Sequence, residues 1–172
     1  MALRFAPLDK EPDARELAGL IDLLRDAVDG GASLGFHMPL LDDEAKAFWA
    51  ECMTEYQQGN RDIFVAINNG LIVGAIQVSY PSRSNAHHRA DIEKLMVHSR
   101  MRRQGIASHL VRAVEEASRK AGKSLLTLDT RSGDDAERLY RNLGYESVGV
   151  IPGFTRDHEG FPHDTTFFFR EI

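Results

Sequence analysis

The residues best suited to chemistry concentrate in one run, Lys94-Leu95-Met96-Val97-His98-Ser99-Arg100-Met101-Arg102-Arg103-Gln104-Gly105-Ile106-Ala107-Ser108-His109-Leu110. An apolar, strand-like segment ends, arginines follow, and a helical pattern opens at Gly105. The first N–H groups of a helix lack internal acceptors and its dipole favours negative charge there, so such a start can hold an anion. Gly105 permits close approach, small Ala107 keeps the first turn open, and Arg102 and Arg103 offer paired donors to phosphate oxygens. No Gly-Lys-Ser or Gly-Lys-Thr follows, and the second and third glycines of a dinucleotide fingerprint are missing. On chemistry alone, a phosphate site and a solvated basic loop before a capped helix stand level.

Other candidates are more isolated. Asp129 closes the otherwise apolar run Leu125-Leu126-Thr127-Leu128, where a carboxylate is costly without a task or a partner. Taken alone, Tyr140 is a core tyrosine between Leu139 and Leu143. Cys52, the single cysteine, reads as a small packed hydrophobe. His87-His88 has no third ligand at metal spacing, so no metal is expected. His98 and His109 flank the basic loop and are expected to be exposed.

These residues need elements to position them. Residues 3–5 read as a short strand. Pro12-Asp13 opens a helix carrying Leu17, Leu20, Ile21, Leu24 and Val28 at helical spacing, ended by Gly30-Gly31. A second helix is expected over 42–58, capped by Asp42 or Asp43. The period then changes to strands at 62–67 and 71–80, joined at Asn68-Asn69-Gly70 by a turn needing positive φ. Strand 89–98, helix 105–121, strand 124–130, helix 134–143 and strands 145–151 and 165–170 follow. The order predicts one α/β (α+β) domain over 1–172, a mixed, mostly antiparallel sheet with helices on both faces. Strands 89–98 and 124–130 should be parallel neighbours joined by a right-handed crossover.

The bulk properties agree with an ordinary domain. The length of 172 residues suits a single core, and the net charge of -5 argues against nucleic acid as partner. Residues 1–5 lack the basic and apolar regions of a signal peptide, and no apolar run approaches a membrane span, so a cytoplasmic protein with no membrane partner is expected.

The segment Arg102-Arg103-Gln104-Gly105-Ile106-Ala107 resembles the Arg/Gln-x-x-Gly-x-Gly/Ala pyrophosphate loop of the GCN5-related N-acetyltransferase (GNAT) family. Glu93-Lys94-Leu95-Met96-Val97 resembles that family's fourth strand and residues 125–130 its fifth. Ala136-Glu137-Arg138-Leu139-Tyr140-Arg141-Asn142-Leu143-Gly144-Tyr145 resembles its Ala-x-x-Leu-Tyr-x-x-x-Gly-Phe/Tyr segment. One position departs: Gly133 stands where many members carry Asn three residues before that Ala.

The resemblance implies a fold and a mechanism. The sheet should splay between its two parallel strands and admit acetyl-coenzyme A as cosubstrate. Its pantetheine arm would pair with Met96 and Val97, and its pyrophosphate would sit on the amides of Gln104, Gly105, Ile106, Ala107 and Ser108 beside Arg102 and Arg103. Ala136 and Leu139 would complete the cofactor wall. An N–H near Val97 would hold the oxyanion, and Tyr140 would protonate the leaving thiolate. An amine attacks only when neutral, and its pKa is near 10, so a base is useful. Glu93 and Asp129 are the candidates. Ser33, Phe36 and His163 are candidate acceptor contacts. The expected acceptor is a small amine-bearing compound of the amino-acid-like toxin or antibiotic kind, and the expected assembly is a monomer or homodimer. The competing functions are a non-catalytic acyl-coenzyme A sensor, a protein or peptide N-acetyltransferase, and a basic-loop nucleic-acid binder.

Overall fold

The computed structural model describes residues 3–172. The elements run β1 (Arg4–Pro7), α1 (Ala14–Asp29), α2 (Asp42–Gln57), β2 (Arg61–Asn68), β3 (Leu71–Ser79), β4 (Arg89–Val97), α3 (Ile106–Lys120), β5 (Leu125–Arg131), α4 (Asp135–Asn142), β6 (Glu146–Arg156) and β7 (Pro162–Glu171). One seven-stranded sheet takes the order β1-β2-β3-β4-β5-β7-β6. Only β4 and β5 pair in parallel among the described strands. The mixed, mostly antiparallel sheet expected from the element order is therefore present.

Local sequence explains most boundaries. Asp13 caps α1 by accepting the Glu16 N–H at 2.8 Å, and the Glu16 carboxylate accepts the Asp13 N–H at 3.1 Å. The turn between β2 and β3 places Asn69 at φ 52° and Gly70 at φ 75°, the left-handed pair that a two-residue hairpin requires. The cap of α2 differs from expectation. Leu41 occupies it, Asp42 is already helical, and the Glu44 carboxylate accepts the Leu41 N–H at 3.1 Å. The last two strands are also longer than the apolar runs suggested. Val148, Val150, Ile151 and Phe154 lie exposed along β6, so hairpin pairing with β7, and not burial, extends the strand through the polar stretch to Arg156.

Each face of the sheet has its own core. α1 and α2 cover one with Leu20, Leu23, Leu24 and Trp49, against Ile63, Val65, Ala75 and Met96 of the sheet. Trp49 is fully buried and its indole N–H donates to the Leu20 carbonyl at 3.1 Å. Truncating such a side chain to Ala typically costs about 3–5 kcal/mol. α3 and α4 cover the other face with Ile106, Leu110, Val114 and Tyr140, against Ile92, Leu126, Leu128 and Phe168. Cys52 packs in the first core, where burial pushes its thiol up to about 11, in keeping with the packed reading. Among the described residues no helix is long and apolar enough to cross a membrane, and no group of His, Cys, Asp and Glu side chains could hold a metal.

Candidate active site

The site begins with a fault in the sheet. β4 and β5 pair only from Arg89 to Asp91 and from Leu125 to Thr127. Beyond that point the ladder opens. The cause lies in β4, where Ala75 faces Met96 but Gln77 faces Glu93, so β4 carries one extra residue. Lys94 takes φ 52° there, a left-handed conformation uncommon for a lysine. A bulge of this kind bends its strand and turns side chains. Glu93 and Lys94, although adjacent, both face the α1–α2 side: Glu93 bonds Arg61, and the Lys94 ammonium reaches the Leu34 carbonyl at 2.7 Å and lies over the Phe48 ring.

The parted strands leave a cleft of about 810 Å³ that Glu93, Lys94, Asp129, Arg131, Ala136 and Tyr140 help to line. Its two sides differ because strand side chains alternate. Leu126 and Leu128 point into the α3–α4 core with Tyr140, so Asp129 and Arg131 point to the α1–α2 side. The His98 N–H donates to the Val73 carbonyl at 2.9 Å. By the alternation of an antiparallel ladder, Met96 directs its backbone groups to β3 and Val97 directs its own into the gap. The Val97 carbonyl there accepts from Arg102 Nε at 3.2 Å.

At the mouth of the gap lies the basic loop. Gly105 is the N-cap of α3 with φ 78°. His109 is the first residue of this helix whose amide finds a backbone acceptor, Gly105 O at 3.2 Å. The amides of Arg103, Gln104, Gly105, Ile106, Ala107 and Ser108 have no protein acceptor among the described residues. Arg102 and Arg103 are exposed beside them. A Cβ on Gly105 would meet only the His109 ring, at 3.8 Å, so the backbone angle and not crowding demands glycine. Unpaired amides at a helix start with adjacent guanidinium groups suit an anion, and a diphosphate fits that donor set.

The loop is anchored from α1. Asp26 accepts both the Ser99 N–H and the Ser99 hydroxyl at 2.7 Å. Burial works against the Asp26 carboxylate, but the two Ser99 hydrogen bonds, with His98 and Arg102 nearby, hold it below its ordinary range. His98 was expected to be exposed and is instead buried, with Nδ1 3.4 Å from Asp26 and Nε2 3.5 Å from Asp22. Only packing of α1 on the end of β4 places two carboxylates there, so no local pattern announces it.

The two candidate bases differ in their surroundings. Glu93 is engaged: its carboxylate accepts from Arg61 Nη1 at 2.9 Å and from the Ser79 hydroxyl at 2.7 Å. Asp129 accepts no hydrogen bond from any described group. Water reaches it along the open side of the cleft, while burial by the walls raises its carboxyl above the usual range; Lys94 opposes the rise and Glu93 adds to it. Tyr140 is buried, and burial with the Asp129 charge pushes its phenol well above the ordinary value. Its ring meets Tyr145 edge-on with centroids 5.3 Å apart, and its hydroxyl bonds no described protein group.

The remaining predicted residues fall in different places. Ser33 lines the cleft and Ala136 its other side. Phe36 packs on Phe48, and Leu139 packs against the second core. His163 lies in the β6–β7 hairpin with Nε2 2.9 Å from the Asp157 carboxylate, outside the cleft lining. Gly133 has φ 85°, and its N–H donates to the Glu137 carboxylate at 2.6 Å. Arg131 also lines the cleft and was not foreseen. Its signal was a second charge, two positions after Asp129 on an apolar strand.

Comparison with known proteins agrees with this geometry. Residues 34–145 match the model of the Acetyltransferase (GNAT) family. An uncharacterized N-acetyltransferase in the hisH-hisA intergenic region of Azospirillum brasilense is 31% identical over 118 residues, 67% of this chain and 68% of that protein. An aminoalkylphosphonate N-acetyltransferase of Salmonella typhimurium is 37% identical over 86 residues, which span 48% of this chain and 54% of that protein. Among solved structures, a phosphinothricin acetyltransferase from Sinorhizobium meliloti in complex with acetyl-coenzyme A superimposes with a TM-score of 0.83 at 18% identity, covering 100% of this chain and 89% of that one. The fold, the opened parallel pair and the family match define an acyltransferase that depends on acetyl-coenzyme A. This chain belongs to the GNAT acetyltransferase family.

Proposed function

We propose that this chain transfers acetyl from acetyl-coenzyme A to the primary amine of a small molecule, by direct attack of the amine on the thioester. One observation carries the reading: Asp129 and Tyr140 face the gap between β4 and β5 from opposite sides of the sheet. The free amides of Arg103, Gln104, Gly105, Ile106, Ala107 and Ser108, with the Arg102 and Arg103 side chains, hold the diphosphate. The gap-facing backbone of Val97 continues the ladder along the extended arm, and its N–H stabilises the carbonyl oxygen, a reading that the alternation at His98 supports. Met96 supports that strand from the core. The acetyl group arrives as a thioester, whose C–S bond breaks as the C–N bond forms.

The ammonium first sheds a proton to solvent; from the neutral amine two further protons move, and solvent afterwards takes one from Asp129 and returns one to Tyr140. Asp129 takes one from the attacking amine, since its raised affinity brings it closer to the working pH than an ordinary carboxylate. Tyr140 gives its phenolic proton to the departing sulfur. The Asp129 charge is one of the causes that hold the Tyr140 proton tightly, so protonating Asp129 loosens it. The first proton transfer thus prepares the second. Glu93, held by Arg61 and Ser79, contributes negative charge near the amine and is not the base in this reading.

Several likenesses support the acceptor class. Residues 30–36, Lys94-Leu95-Met96-Val97, Leu128-Asp129-Thr130 and Pro152-Gly153 resemble the tabtoxin-resistance acetyltransferase, and the relatives above include proteins named for aminoalkylphosphonate and phosphinothricin. A small amino-acid-like toxin or antibiotic fits that company, and the role read from it is resistance, exercised in the cytoplasm. The test is thiol release from acetyl-coenzyme A across a panel of small amines. Tyr140→Phe should lower kcat by more than 10-fold with little change in the KM for acetyl-coenzyme A. An unaltered kcat between pH 6 and 9, with chemistry shown to limit turnover, would remove the acid role.

A further inference from the structure

Two cations in the cleft have no firm counter-ion. Lys94 forms no ion pair with any described carboxylate and spends its one resolved hydrogen bond on the Leu34 carbonyl, at 2.7 Å. Arg131 Nη1 donates to the Gly31 carbonyl at 3.2 Å. The carboxylate paired with Arg131, Asp134, stands 4.0 Å from Nε, too far for a hydrogen bond, and that buried Nε has no acceptor. A part-buried guanidinium held mainly by a neutral carbonyl is poorly compensated.

Both groups grip the same short segment. Residues 31 and 34 are three apart, so their carbonyls lie within about 10 Å of each other. Lys94 reaches this segment from β4 and Arg131 from β5, so it spans the gap on the α1–α2 side. Asp129 is two positions before Arg131 and shares its face, which sets the two side chains about 7 Å apart along the strand. One wall of the cleft thus presents a free carboxylate and two cations that grip one loop segment.

We infer that Lys94 and Arg131 form an acid-binding subsite, so that the acceptor is a small amine bearing its own carboxylate or phosphonate a few bonds from the nitrogen. The acceptor's acid group takes hydrogen bonds that the Gly31 and Leu34 carbonyls now receive, and its ammonium lies against Asp129. This rests on the acetyltransferase reading and narrows its substrate.

Thiol release is to be measured with three amines of matched length: 2-aminoethylphosphonate, β-alanine and propylamine. At least one acid-bearing amine should exceed propylamine in kcat/KM by roughly 10- to 100-fold, the range for charge-assisted hydrogen bonds. Whether the phosphonate or the carboxylate leads identifies the acid. Arg131→Gln and Lys94→Gln should each draw that ratio toward one, mainly through KM, and Arg131→Lys should restore part of it. A general loss of folding lowers all three amines together and leaves the ratio unmoved. A wild-type ratio near one, or a ratio that survives both substitutions, would make the two cations staples for the loop and nothing more. If none of these amines releases thiol, the small-amine acceptor reading fails, and the subsite is then judged by calorimetry with ethylphosphonate. Binding that is lost in Arg131→Gln upholds it, and absent or equal binding overturns it.

Discussion

Gly105→Val is the most direct probe of the diphosphate cradle. Gly105 sits at φ 78°, and its added Cβ would find nothing nearer than the His109 ring at 3.8 Å. The penalty is therefore conformational. A β-branched residue in the left-handed region costs about 1–3 kcal/mol. The protein can keep the angle and lose stability, or relax the loop and lose the alignment of the amides of residues 103–108. Misaligning even one charge-assisted bond to a phosphate costs about 2 kcal/mol, a roughly 30-fold rise in Kd. Calorimetry with acetyl-coenzyme A reads the second outcome, and thermal melting of the free protein reads the first. For a chain of this size 1 kcal/mol shifts Tm by about 2–4 °C. Gly105→Asn, which tolerates this angle better, should retain more affinity than Gly105→Val. Affinity within threefold of the parent for Gly105→Val, together with an unchanged Tm, would mean that the diphosphate does not sit on these amides.

Two further substitutions separate function from stability. Asp129→Asn should cut kcat/KM by at least 100-fold and flatten the acidic limb of the pH profile, which in the parent lies above the range of an ordinary carboxylate. Because the folded carboxyl binds its proton more tightly than the unfolded one, this group destabilises the protein as pH rises through that window, and the effect persists above it. Asp129→Asn should therefore raise Tm at pH 7 to 8, with no gain below about pH 3, where the carboxyl is protonated in both states. Asp26→Ala leaves the Ser99 N–H and hydroxyl without their acceptor and should lower Tm by roughly 2–10 °C while weakening acetyl-coenzyme A binding. The Asp26 carboxyl is held below its ordinary range, so its contribution is present at neutral pH and is lost as pH falls through the folded value. A Tm difference between Asp26→Ala and the parent that stays constant down to pH 3 would contradict that account.

Much of the site was legible before any coordinates. Capping, hairpin and helix-stop residues act within a few positions of themselves, so the element order, the Asn69-Gly70 turn and the helix opening at Gly105 could be read directly. Asp129 stood out for the same reason, as a charge on an apolar strand. What the chain alone could not reveal depends on register and on partners far away in sequence. An extra residue in β4 turns Glu93 and Lys94 to the same face, where simple alternation would separate them. Arg61, 32 residues from Glu93, occupies that carboxylate and leaves Asp129 as the free one. Arg131 and Gly31 meet across 100 residues. Local pattern determines which elements form, because hydrogen bonds and caps are short-ranged; which charges are spent and which stay available is decided only when packing brings distant strands and loops together.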